Sequence, residues 1–118
     1  MSDYSTWRAR LASANDPAFW PIEAIDAMLA NEQAQFWATD KSALVTLIQT
    51  YPGGAVVIEV LAGTGSMADL IKRVRPKVEA WGRQHGCTHI QIKGRTGWAR
   101  ALKPHGFKHL QDILVKGL

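Results

Sequence analysis

Residues 55–93 read AVVIEVLAGTGSMADLIKRVRPKVEAWGRQHGCTHIQIK, and this stretch decides the fold. It begins with a run rich in β-branched residues, Ala55 to Ala62, and ends with an alternating run, Thr88 to Lys93; both are typical of strands. Between them, apolar residues recur at helical spacing from Met67 to Trp81. A strand, a helix and a second strand joined in this way form a right-handed crossover, so we expect the two strands to be parallel.

The crossover helix has two marked features. Its surface is basic, with Lys72, Arg73, Arg75, Lys77 and Arg83. Pro76 lies inside the helical pattern and has no amide proton, which predicts a kink or a break into two helices at that point.

The residues before this stretch predict two helices and two more strands. A cap and prolines precede a helix near residues 21–31, and a short helix over Ser5 to Ser13 would place an N-terminal docking segment, residues 1–16, on the domain. The strands are Gln33 to Thr39 and Ala43 to Tyr51, which form an antiparallel meander with Ala55 to Ala62.

The residues after it predict a loop over Gly94 to Gly97, a short helix over Trp98 to His105 and a last strand over Phe107 to Val115. The element order is therefore α, β, β, β, α, β, α, β in one domain spanning residues 1–118. This order predicts an α/β (α+β) fold with a mixed sheet, an antiparallel meander, one βαβ crossover and helices on both faces.

The composition of the chain limits the cellular compartments and the classes of partner that we expect. Hydrophobic residues make up 47% of the 118 residues, and the single cysteine, Cys87, cannot form an internal disulfide, so we expect a cytoplasmic protein. No stretch has the length of a membrane span, so we expect no membrane insertion. The formal charge of +4 favours anionic partners but does not distinguish a phosphorylated ligand from an acidic protein; nucleic acid remains a third, less favoured option.

The element order and the segment from Trp98 to Phe107, WARALKPHGF, resemble the GNAT (N-acetyltransferase) superfamily over roughly Pro21 to Leu118. The segments Glu79 to Cys87 and Gly94 to Trp98 are similar to small GNAT-like proteins encoded by phages and prophages. The resemblance implies acetyl-CoA as a substrate, with its pyrophosphate at the turn formed by Gly63, Thr64, Gly65 and Ser66. It also implies that the pantetheine arm lies between the two parallel strands.

Three positions depart from the pattern that the resemblance implies. Ala62 stands where an arginine or glutamine is expected, Met67 stands where a second small residue is common, and Leu102 stands where family enzymes often carry a tyrosine general acid. The glycine run also has a purely structural interpretation, in which Ser66 caps the helix and Asp69 reaches back to it. Both interpretations of the turn stay open at this point.

Two residues are candidates for acid–base catalysis. Glu59 lies in the strand that often carries the general base in GNAT enzymes, and His105 is a candidate replacement general acid because a histidine side chain titrates near neutral pH. The alternatives are a solvent-facing strand carboxylate paired with a cation and a surface histidine beside Gly106.

Arg95, Trp98 and Arg100 form a candidate partner-binding patch, with a solvated basic face as the ordinary alternative. The paired histidines span glycines, so we expect no metal site. Two functions follow: an acetyl-CoA-dependent N-acyltransferase with a degenerate site, or a non-catalytic GNAT-like virion or assembly protein of phage origin that binds other proteins.

Overall fold

The sheet of the computed structural model has four strands in the spatial order β1, β2, β3, β4. They are β1 (Ala34–Ala38), β2 (Ser42–Thr50), β3 (Val56–Gly65) and β4 (His89–Ile92). The first three pair antiparallel and β4 pairs parallel with β3, which confirms the predicted meander and crossover. The structure describes residues 4–93, 96–110 and 113–118.

The helices lie before the sheet, between its last two strands and after it. The first pair is α1 (Tyr4–Ala14) and α2 (Ile22–Ala30). The crossover consists of α3 (Met67–Asp69), a π-helical turn (Leu70–Val74) and α4 (Arg75–Gln84), and β4 is followed by α5 (Thr96–Leu102) and a 3₁₀ turn (Lys103–His105). Among the described residues, no helix combines the length and the apolar character needed to cross a bilayer.

Each face of the sheet has its own core, because side chains alternate along a strand. On one face Trp7 and Leu11 of α1 and Ile25 of α2 pack against β2 residues such as Val45. On the other face the crossover helix packs against the sheet through Leu70, Val74 and Val78, with Leu44 and Ile58 below them. The predicted placement of helices on both faces is confirmed.

The N-terminal helix is held to α2 by one carboxylate. Asp26 accepts a hydrogen bond from the Tyr4 hydroxyl at 2.6 Å. It also accepts hydrogen bonds from the Arg8 guanidinium, the shortest of them at 2.7 Å. The Tyr4 ring also meets Phe36 edge to face, with ring centroids 5.6 Å apart. These contacts hold α1 against α2, and the Tyr4 ring adds a contact with the sheet.

The predicted interruption near Pro76 takes the form of a π-helical turn. The helix runs from Met67 to Gln84, and its π-helical residues, Leu70–Val74, come just before Pro76. Since proline cannot donate the usual i→i−4 hydrogen bond, the wider turn accommodates it without ending the helix.

The predicted boundary of the third strand is wrong. The sequence pattern predicts that this strand ends at Ala62 and that the glycine run is a turn, whereas β3 continues to Gly65. Gly63, Thr64 and Gly65 pair with Leu44, Ala43 and Ser42 of β2. The partner strand, which lies elsewhere in the sequence, therefore overrides the turn preference of the glycines.

The predicted last strand, Phe107 to Val115, is also wrong for the part of it that the structure describes. Residues 107–110 and 113–115 belong to no strand, and residues 111 and 112 lie outside the described ranges. Several large apolar side chains of this segment are exposed, among them Leu110, Ile113 and Leu114. A β-branched pattern alone does not form a strand where no neighbouring edge pairs with it.

Candidate functional site

The parallel pairing with β4 covers only the first half of β3. The last paired residues are Val60 and Ile92, and β3 then runs on to Gly65 without β4 beside it. At the same level Leu61 is an extra residue in the ladder with β2, because Val45 pairs with Ala62 and Thr46 with Val60. A bulge of this kind bends its strand and redirects the neighbouring backbone. We call the edge of β3 from Leu61 to Gly65, which β4 (His89–Ile92) does not reach, the gap between β3 and β4.

An apolar cleft lies beside this gap, under the crossover helix and α5. Val60 and Ile92 form part of its floor, and Leu70, Trp98 and Leu102 close it from above. Its free volume is about 30 Å³, which is room for about two water molecules. Arg75 also borders the cleft, but its guanidinium donates to Glu79 at 2.6 Å. The cleft is therefore narrow, apolar and closed by α5.

The glycine run forms the far end of β3 and leads into the crossover helix. The Ser66 hydroxyl accepts a hydrogen bond from the Asp69 amide at 3.2 Å, which confirms Ser66 as the helix cap. The Ser66 amide donates to the Lys41 carbonyl at 3.1 Å. Of the first amides of this helix, those of Met67 and Ala68 remain as donors for an anion, because helix N-terminal amides have no partner within the helix.

Glycine at position 65 is required by the fold itself. Gly65 has a φ of +97°, and a Cβ built there would lie 2.3 Å from the Lys41 carbonyl oxygen and 2.7 Å from the Ser42 Cα. The turn between β1 and β2 therefore approaches the glycine run too closely for any side chain.

Asp69 does not reach back to the cap, which corrects the structural interpretation of the turn. Its carboxylate instead accepts hydrogen bonds from the hydroxyls of Ser42 and Thr39, both at 2.5 Å, and from Arg73 at 3.0 Å. The Ser42 hydroxyl above all, then that of Thr39, and also Arg73, hold the pKa of Asp69 below its ordinary value. A buried, ionised and fully bonded carboxylate thus fixes the crossover helix to the β1–β2 turn.

Glu59 lies near the opening of the gap, two residues before the bulged Leu61. It alternates with Ile58 and Val60, which face the crossover helix, so its side chain is on the opposite face of the sheet. There it is half-buried beside Gln91 of β4, its partner in the parallel ladder. The Tyr51 hydroxyl donates to Glu59 Oε1 at 2.5 Å. Among the described residues no cation forms an ion pair with this carboxylate.

The other predicted site residues lie elsewhere. His105 is exposed on the 3₁₀ turn after α5, and α5 packs on the face of the sheet opposite Glu59; no contact joins the two catalytic candidates among the described residues. Trp98 packs into the second core rather than standing free on a surface, and Arg100 is exposed. Arg95 lies outside the described residues.

Metal-ligating side chains do not gather in the part of the chain that the structure describes. No group of three or more His, Cys, Asp or Glu residues there could hold a metal ion. Two of the histidines have local partners: His85 Nδ1 lies 2.8 Å from the Trp81 carbonyl oxygen and His89 Nδ1 lies 2.7 Å from the Thr88 hydroxyl.

No protein-family model matches the sequence, and no curated protein is significantly similar to it. Solved structures, in contrast, match almost the whole chain. A predicted acetyltransferase from Clostridium acetobutylicum, solved with acetyl-CoA, superimposes with a TM-score of 0.71 at 10% identity, covering 98% of this chain and 92% of its own. A ribosomal-protein-alanine N-acetyltransferase from Brucella melitensis biovar Abortus has a TM-score of 0.67 at 9% identity, covering 98% and 91%. An aminoglycoside 6'-N-acetyltransferase from Acinetobacter haemolyticus has a TM-score of 0.64 at 16% identity, covering 100% and 94%.

The chain has the GNAT fold. At these identities the likeness establishes the architecture, and the chemistry rests on the residues of this chain. Within the GNAT fold, Leu102 is 3% exposed and forms a wall of the cleft at the position where the resemblance implies a tyrosine.

The residue that sequence reasoning missed is Tyr51. The sequence predicts it only as the end of the second strand, and no motif joins it to Glu59. The signal that could have found it is the tight Pro52 to Gly54 turn, which folds Tyr51 back along the strand that carries Glu59.

Proposed function

We propose that this protein is an acetyl-CoA-dependent N-acyltransferase in which acyl transfer takes place in the gap between β3 and β4. The observation that supports the proposal is the end of the parallel pairing beside the bulged Leu61, with an apolar cleft on one face of the sheet and the Glu59 carboxylate on the other. Two reactants can meet in such a gap while each approaches from its own face of the sheet.

The chemical character of the residues around the cleft and at the start of the crossover helix matches the parts of an acyl-CoA ligand. Apolar side chains such as Val60 and Ile92 suit a pantetheine arm, and the Met67 and Ala68 amides at the start of the crossover helix suit a phosphate. Asp69 would oppose a nearby anion, but its charge is already balanced by Arg73. Since the cleft holds only about 30 Å³, the proposal requires α5 to move outward when the ligand binds.

The chain's own residues would then provide positioning and proton transfer. Bound acetyl-CoA supplies the acyl group as a thioester. Glu59 would accept a proton from the attacking amine, directly or through water, since its carboxylate faces the side from which an amine can reach the gap. Leu102 cannot return a proton to the leaving thiolate, so that proton would come from solvent, which is consistent with a slow enzyme.

The test of the proposal is thermal unfolding of the protein with and without acetyl-CoA, followed by a thiol-release assay with several amines. A ligand present at about 100 times its Kd stabilises the native state by about 2.7 kcal/mol. We expect an upward shift in Tm with acetyl-CoA, and thiol release with at least one of three amines: an aminoglycoside, an N-terminal alanyl peptide and glucosamine 6-phosphate. The similar structures described above suggest the first two. No shift at millimolar acetyl-CoA would contradict the proposal.

A second candidate function is a non-catalytic interaction protein, and one observation favours it. Leu110, Ile113, Leu114, Val115 and Leu118 are exposed by 54–117% in the carboxyl-terminal segment, and a cluster of exposed apolar side chains is typical of a protein contact. Sedimentation analysis separates the candidates: a stable oligomer that neither binds nor turns over acetyl-CoA would support the second, whereas a monodisperse monomer that releases thiol would count against it.

A further inference from the structure

The contact between Tyr51 and Glu59 is fixed from the backbone outward. The Tyr51 amide donates to the Ala55 carbonyl at 2.9 Å, and the Tyr51 carbonyl accepts from the Gly54 amide at 2.9 Å. Both main-chain polar groups of Tyr51 are therefore bonded within the hairpin turn. The backbone that carries the Tyr51 ring is therefore held in place, and the Tyr51 hydroxyl donates to Glu59 Oε1 at 2.5 Å.

The contact leaves half of the carboxylate unused. Within the described residues the Tyr51 hydroxyl is the one hydrogen-bond donor seen at the Glu59 side chain, so Oε2 remains for another donor. The bond to Glu59 raises the pKa of Tyr51, because an ionised phenol would lose it, and the hydroxyl thus stays a donor at neutral pH. Tyr51 is 38% exposed, so the pair is not a core contact.

A second phenol–carboxylate contact in the same chain shows what a purely structural pair looks like. Asp26 accepts from Tyr4 through Oδ1 at 2.6 Å, and Arg8 donates to both of its oxygens at 2.7–3.1 Å. That carboxylate has a cation and no oxygen left over. Glu59 has the phenol alone and lies two residues from the bulge.

We propose that Tyr51 is a positioning residue, whose hydroxyl holds Oε1 of Glu59 so that Oε2 points to an incoming amine at the gap between β3 and β4. This inference rests on the proposed function, since it gives Tyr51 a part in the same proton transfer. A hydrogen bond that limits the rotation of a general base keeps it in the geometry needed for proton transfer. Misplacement of a catalytic group by about 1 Å can lower the rate by about 100-fold.

The test is steady-state kinetics on four proteins: wild type, Tyr51→Phe, Glu59→Gln and the matched control Tyr4→Phe. The donor is acetyl-CoA and the acceptor is whichever amine of the three-compound panel gives the fastest thiol release. We expect Tyr51→Phe to lower kcat by about tenfold with the KM for acetyl-CoA unchanged, Glu59→Gln to lower kcat by about 100-fold, and Tyr4→Phe to leave both constants as they are.

The outcomes distinguish the two proposals. If Glu59→Gln loses activity while Tyr51→Phe keeps the wild-type kcat, the positioning role is overturned and the acyltransferase stands. If Tyr51→Phe and Tyr4→Phe lower kcat equally, the effect is general loss of structure and the positioning role is also overturned. If wild type neither binds acetyl-CoA nor releases thiol, the acyltransferase proposal fails and the role of Tyr51 falls with it. Thermal unfolding of each variant checks that it is folded.

Discussion

Two carboxylates, Asp69 just beyond Gly65 and Glu59 in the first half of β3, are bound by hydroxyl groups and differ in burial and in charge balance. We call the Gly65 end of β3, with Asp69, its locked end, and the end at the Pro52 to Gly54 hairpin, with Glu59, its open end. At the locked end Asp69 is buried, accepts two hydroxyls and is neutralised by Arg73. Near the open end Glu59 is half-buried and accepts one hydroxyl, that of Tyr51. The fully bonded carboxylate fixes the fold, whereas the half-bonded one is the group to which we assign proton transfer in the proposed function.

This comparison also bears on the glycine run. The last residues of the glycine run are already used by the fold, because Gly65 pairs with β2 and the Ser66 amide donates to the Lys41 carbonyl. An anion at this end would therefore be bound by the Met67 and Ala68 amides at the start of the crossover helix. In the proposed function, the locked end would supply a fixed platform for the ligand and the open end would supply the general base.

The largest effect is expected from Gly65→Ala at the locked end. The added methyl would meet main-chain atoms of Lys41 and Ser42 at 2.3 and 2.7 Å, and the φ of +97° is unfavourable for alanine. We expect a loss of about 3 kcal/mol or more in the free energy of unfolding, measured by urea denaturation.

Gly54→Ala in the hairpin of the open end is the matched control. Its φ is +94°, but a Cβ there meets nothing within 4 Å. We expect a loss of about 1 kcal/mol from backbone strain alone. Equal losses at the two glycines would show that the close approach to Lys41 is not present in solution.

A smaller and pH-dependent effect is expected from Asp69→Asn. The hydroxyls of Ser42 and Thr39, with Arg73, lower the pKa of Asp69 in the folded state. A lowered pKa means that the ionised carboxylate stabilises the fold above its ordinary pKa of about 3.9, and that this stability is lost as the pH falls through the folded value. The variant should therefore unfold at lower urea than wild type at pH 7, and the difference should shrink below about pH 4.

Asp26 and Asp40, whose pKa values are also lowered by arginine partners, are present in both proteins and cancel in this comparison. A gap between wild type and variant that stays constant from pH 7 to pH 3 would contradict the role given to the Asp69 charge.

The crossover could be predicted from the sequence because its signals are local. The β-branched run of β3, the helical spacing after Met67 and the alternation around Ile90 each report the structure of their own residues. The parallel pairing then follows from the handedness of the connection. The cap at Ser66 could be predicted for the same reason, since the residues that form it are three apart.

The features that could not be predicted depend on residues far apart in the chain. The extension of β3 through Gly65 depends on Ser42, and the carboxylate of Asp69 reaches hydroxyls that are 27 and 30 residues away. The Tyr51 contact depends on how the hairpin turn aims a side chain. In the segment 107–115 the pattern of a strand was present, but no described edge pairs with it. Propensity describes what a segment can form, and its neighbours decide what it does form.

The smallest effect sharpens the comparison most, because it separates a reactive pair from a structural one. Tyr51→Phe removes one hydroxyl from an exposed contact, so we expect a urea midpoint indistinguishable from that of wild type. Tyr4→Phe removes the same group from the half-buried contact with Asp26 and should lower the free energy of unfolding by about 1 kcal/mol. If Tyr51→Phe proved as destabilising as Tyr4→Phe, its bond to Glu59 would be part of the scaffold, and the open end of β3 would resemble the locked one. Unchanged stability would mean that the fold does not need the Tyr51 hydroxyl, so any fall in kcat must come from the way it holds Glu59.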